Sequence, residues 1–149
     1  MAADILDRTL KGAQEIAPGI TFEWISEGHI VILKIGTVAR ESLEQYAQQY
    51  IRLVNDASAA QPFLVMVDST SPDFSFTPTL RQKINEMEDA VPDDLPGRLA
   101  LLLEDAVKSQ VFRLVLRGIN LTYRRKKLQR GIYVNQDEAL TWLQDGIPN

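Results

Sequence analysis

Cysteine is absent from the 149-residue chain, which excludes a disulfide framework, a thiolate nucleophile and a cysteine-ligated metal. His29 is the single histidine, so a Ser-His-Asp triad or a multi-histidine metal centre has little to build on. Long apolar runs are missing too. The longest stretches, such as "LALLL" at 99–103, fall far below the roughly 18 residues of a membrane span. Residues 1–20 contain Asp4, Asp7 and Glu15 and no extended apolar core, which argues against a signal peptide. "GTVARES" (36–42) has one glycine and no Lys-Ser pair, so no phosphate loop is indicated. The expectation is a cytoplasmic, non-catalytic protein with no cofactor, no metal and no membrane span.

Acidic residues are missing from one block. Residues 1–105 carry 8 basic and 17 acidic side chains, residues 106–136 carry 8 basic and none acidic, and residues 137–149 add three acidic ones. The average of −4 hides this asymmetry. A nucleic-acid partner is not expected, because the overall pI is about 5.0 and no aromatic ladder interleaves the basic residues. Glu86, Glu88, Asp89, Asp93 and Asp94 match no calcium-loop spacing and read as a solvated surface.

Periodicity organises the rest as one domain, 1–149. Residues 3–19 place Leu6, Leu10, Ala13 and Ala17 at helical spacing before Pro18-Gly19, a short N-terminal helical extension. "ITFEWIS" and "HIVILKI" flank Glu27-Gly28 as a hairpin. Residues 40–56 form a helix with Leu43, Ala47, Tyr50, Ile51 and Val54 on one face. "PFLVMVD" (62–68) reads as a strand buried on both faces. Six of the eleven residues 69–79 are Ser or Thr, and Thr77-Pro78 opens a helix as N-cap and first position. "RLALLLE", a helix over 106–128, "GIYV" and a helix capped by Asn135 with Glu138 complete the order. Alternating strands and helices after a hairpin predict an α/β sandwich, with a mixed, mostly parallel sheet of about five strands and four to five helices.

Helix 106–128 carries two apolar strips. Val107, Val111, Leu114, Val115, Gly118, Leu121 and Thr122 cluster on the face expected to pack on the sheet, with Gly118 allowing close approach. Phe112, Leu116, Ile119 and Tyr123 form a second strip, too much for a simple half-buried helix. That strip is either an interface, with a homodimer foremost, or the wall of an apolar ligand cavity, unless another element such as the N-terminal segment covers it. Arg113, Arg117, Arg124 and Lys127 line the polar face, and with Arg125, Lys126 and Arg130 they are the candidate anion contacts. Cations also suit a helix C-terminus, and an acidic partner surface, such as 86–94 of a second copy, suits them equally.

The strand and helix order over roughly 20–145, together with "FLVMVD", "LALLLED" and the closing "YVNQDEALTWL", resembles the STAS domains, the sulfate-transporter and anti-sigma-factor-antagonist class. In antagonist members that resemblance implies partner switching through a phosphorylated Ser or Thr at the helix after the third strand. The family run there is of an Asp-Ser-Ser-Gly-Leu type. Matched on Leu80, this chain has Phe76-Thr77-Pro78-Thr79-Leu80, with Pro78 where the phospho-acceptor stands. The motif is broken, and Thr77 and Thr79 remain the candidate phosphorylation sites. The expected function is a non-catalytic protein-binding module. The alternative is a carrier of a small apolar ligand, since the layering is also similar to CRAL-TRIO lipid-transfer domains. There the strip from Phe112 to Tyr123 would line a cavity and Arg124 to Lys127 would hold a head group.

Overall fold

The computed structural model describes residues 3–122 and 126–148, without the side chains of 106–109. Six strands and four helices follow in the order β1 (Gln14–Ala17), β2 (Ile20–Ile25), β3 (Ile30–Ile35), α1 (Arg40–Asp56), β4 (Phe63–Ser69), α2 (Pro78–Ala90), β5 (Gly97–Leu103), α3 (Ala106–Thr122), β6 (Gln129–Tyr133) and α4 (Gln136–Gln144). The α/β class and the mixed, mostly parallel sheet are as expected, with one strand more.

Strands lie side by side in chain order. β1, β2 and β3 are antiparallel neighbours, and β3, β4, β5 and β6 are parallel ones. Each parallel step needs a crossover helix, and right-handed crossovers that all advance one way put their helices on one face. α1, α2 and α3 accordingly share the face of Phe22, Leu33, Val65 and Leu103. α4 closes no further crossover and turns back over the other face, setting Ala139 and Leu143 on Leu64, Met66, Ala100 and Leu102. Among the described residues no helix is long and apolar enough to cross a membrane.

The caps lie where the sequence puts them. Thr77 accepts the Leu80 N–H at 3.1 Å with Pro78 at the first helical position, and Asn135 accepts the Glu138 N–H at 3.0 Å. The N-terminal helix is the main departure. Asp4 and Asp7 accept the backbone N–H groups of Leu6 and Thr9 two residues on, and such turns compete with helical hydrogen bonding. Pro18-Gly19 is a hairpin turn rather than a helix end, with Gly19 at φ 82° between β1 and β2. The segment before β1 is stapled to the hairpin. Trp24 Nε1 donates to the Ile5 carbonyl at 2.9 Å, and the Arg8 guanidinium stacks 4.5 Å from the Trp24 ring centroid.

Candidate functional site

Two strands and two helices bring apolar surface to one place without filling it. β4 and β5 supply Val67, Leu99 and Leu101, α2 supplies Leu80, Ile84 and Met87, and α3 supplies Phe112, Val115, Leu116 and Ile119. Between them lies a cavity of about 90 Å³. About 10–15 Å³ in this measure already holds one water, so the space is several times what a single buried water needs. Interiors are otherwise packed like organic crystals, and every lining atom facing a void forgoes its contacts there.

Phe112 anchors the rim. Its ring stacks on Phe74 at 5.6 Å between centroids and meets Phe76 edge-on at 5.3 Å. Both partners belong to the Ser/Thr-rich loop between β4 and α2. That loop contributes apolar rings to the site, while two of its hydroxyls serve the backbone, Ser71 accepting the Asp73 N–H and Thr77 the Leu80 N–H. Asp68 accepts from the Thr70 N–H and hydroxyl, and Thr77 caps α2.

Five polar residues reach the cavity wall: Tyr46, Tyr50, Ser69, Glu88 and Arg130. Glu88 and Arg130 neutralise each other. Arg130 Nε donates to Glu88 Oε1 at 3.0 Å, its Nη2 donates to Oε2, and its Nη1 donates to the Leu128 carbonyl at 3.2 Å. Burial holds the Tyr50 hydroxyl well above its ordinary pKa of 10.0, with the Glu88 and Tyr46 charges adding and Arg130 opposing. Burial alone raises Tyr46 likewise. Both phenols therefore stay neutral at ordinary pH. Ser69 ends the buried strand at 0% exposure, and its Oγ is the one buried side-chain polar atom among the described residues with no hydrogen-bond partner.

A groove of about 580 Å³ separates α2 from α3 above this cavity, lined by Arg81, Asn85, Asp89, Leu114, Gly118 and Thr122. Ile84, Val115 and Ile119 line both groove and cavity. Three aliphatic side chains are thus common to the walls of both spaces.

α3 is turned relative to the expectation. Phe112, Leu116 and Ile119 face inward and line the cavity, and Phe112 is only 6% exposed. Most of the strip expected on the sheet is outer, with Val115 sharing the cavity wall and the Val107 side chain outside the described residues. Leu114 and Leu121 are each 71% exposed, Val111 is exposed, and a Cβ on Gly118 would meet nothing within 4 Å. Periodicity cannot rank two apolar strips on one helix, whereas packing does: an aromatic with Phe74 and Phe76 waiting for it buries more area. The N-terminal segment docks on Trp24 and Gly28 and is not the element over this strip.

The charged residues also fall differently. Glu88, read as solvated, is 5% exposed, and Arg130 is buried against it. Lys126 Nζ donates to the carbonyls of Glu88 and Val91, and Lys127 N donates to the Asp93 carbonyl at 2.8 Å. The basic segment thus meets residues 88–93 of its own chain, the stretch expected to attract it on a second copy. Arg113 and Arg117 are exposed on α3, Thr79 is half-buried beside the α2 cap, and Tyr123, Arg124 and Arg125 lie outside the described residues. Among the described residues no group of three or more acidic or histidine side chains is placed to hold a metal.

Sequence reasoning passed over Ser69, Phe74 and Phe76. The alternation "FSF" inside a polar loop was the available signal for the rings. Nothing in sequence marks Ser69, which reads as the loop's first hydroxyl. Comparison of the chain with models of protein families, with curated proteins and with solved structures found no match to any of them.

Proposed function

We propose that this protein is a non-catalytic binder of a small apolar molecule, held in the cavity between the sheet, α2 and α3. The observation that carries this is the cavity: a space larger than one water, walled almost entirely by aliphatic and aromatic side chains and continuous at Ile84, Val115 and Ile119 with the lining of a surface groove. Apolar cavities of this kind stay dry and take up benzene-sized guests. The groove between α2 and α3 adjoins the cavity and is the side from which a guest would enter.

Native mass spectrometry on freshly purified protein should show a retained molecule that is lost on denaturation. After its removal, benzene should raise the melting temperature by a few degrees, since a ligand at ten times its Kd adds about 1.4 kcal/mol to the folded state. A clean apo mass together with an unchanged melting temperature in benzene defeats the reading.

The second reading is the protein-binding module, favoured by the exposed strip Val111, Leu114 and Leu121. Its occupant is a second copy of the chain. Arg113 and Arg117 flank the strip on α3, and a twofold axis through the strip would bring the same apolar patch of each copy together. Light scattering on Leu114→Asp should then give a monomer where the wild type is a dimer. A monomeric wild type removes this reading.

A further inference from the structure

Resting on the ligand-binding reading, we infer that the guest is an uncharged, ring-sized molecule bearing one hydrogen-bonding oxygen, and that Ser69 Oγ is the group that selects it.

Size limits the guest first. Sites for drug-sized ligands span about 300–1,000 Å³, and a cavity of about 90 Å³ restricts the guest to a single ring or a short branched chain. Charge is next. The one guanidinium on the wall is matched by the Glu88 carboxylate through two hydrogen bonds and donates again to Leu128. Tyr46 and Tyr50 stay neutral as phenols. Among the described residues no net charge faces the interior, so an ionised guest would give up its hydration with nothing there to replace it. A lipid head group held by the basic segment fits poorly as well, because Lys126 already donates to two carbonyls at the end of α2.

Polarity comes last. Buried hydroxyls are almost always paired, and an unpaired one costs the folded state its desolvation. Ser69 breaks that rule at the cavity, at the carboxyl end of β4. A serine hydroxyl both donates and accepts, so it pairs equally with a guest hydroxyl or carbonyl. In an alanine variant the guest's oxygen would be buried without that partner, and only the apolar ring would still be welcome.

Benzene, phenol and benzoate, titrated calorimetrically into wild type and Ser69→Ala, separate the possibilities. The expectation is that wild type binds phenol at least as well as benzene and benzoate not measurably. Ser69→Ala should lose about tenfold in phenol affinity with benzene unchanged. Unliganded Ser69→Ala should melt about 3 °C higher, since a hydroxyl without a partner has been removed; a lower melting point would mean that Ser69 is paired and would overturn the inference. If benzene binds while phenol affinity is the same in both proteins, the Ser69 anchor fails and the binding reading survives. If benzoate binds more tightly than phenol, the uncharged class is wrong. If none of the three binds, the binding reading itself falls.

Discussion

Glu88→Ala is expected to cost about 3–5 kcal/mol of unfolding free energy, because it leaves a guanidinium buried without its counter-charge. The two side chains are 6% and 4% exposed, and Arg130 engages both carboxylate oxygens. Desolvating both ions consumes most of what their attraction returns, so the pair adds little compared with apolar residues of similar volume. Breaking it is another matter. Glu88 stands near the end of α2 and Arg130 in β6, and the intervening chain is tied to the same turn by Lys126 and Lys127. The pair therefore fixes where β6 enters the sheet. The double variant Glu88→Leu/Arg130→Met should recover to within about 1 kcal/mol of wild type, a large favourable coupling in a double-mutant cycle. Urea denaturation measures all four proteins. A Glu88→Ala protein within about 0.5 kcal/mol of wild type would show that the pair is solvated.

Phe112→Ala is expected to lose about 3–5 kcal/mol, the ordinary cost of removing a buried aromatic ring, while Leu114→Ala should stay within about 0.5 kcal/mol of wild type, as exposed substitutions do. The contrast tests the rotation of α3. Phe112 is clasped by Phe74 and Phe76, whereas Leu114 is 71% exposed. Losing the ring also merges its volume with the cavity, so Phe112→Ala should accept naphthalene where wild type accepts only single rings. Should Leu114→Ala prove the more damaging of the two, the outer and inner strips of α3 would have to be exchanged.

What the residues disclosed in advance follows their range of action. Thr77-Pro78 and Asn135 with Glu138 announce helix starts because a cap is decided within four residues. "FLVMVD" announces a central strand because both its faces are apolar. The N-terminal segment misleads because Asp4 and Asp7 can satisfy the backbone locally, in turns that helical spacing does not reveal. The site depended on longer reach. Glu88 and Arg130 lie 42 positions apart, and a charge count shows that unlike blocks exist without saying that they meet in one chain. The unpaired state of Ser69 is a property of its surroundings, and no residue type or spacing encodes it.

The binding cavity is most directly tested by methyl NMR, recording Ile, Leu and Val methyl signals while benzene is titrated in. Binding in the cavity predicts saturable shifts concentrated on Val67, Leu99, Leu101, Leu116 and Ile119, whose side chains wall it. Shifts confined to the exposed Val111, Leu114 and Leu121, or no saturable shifts at all, would contradict it.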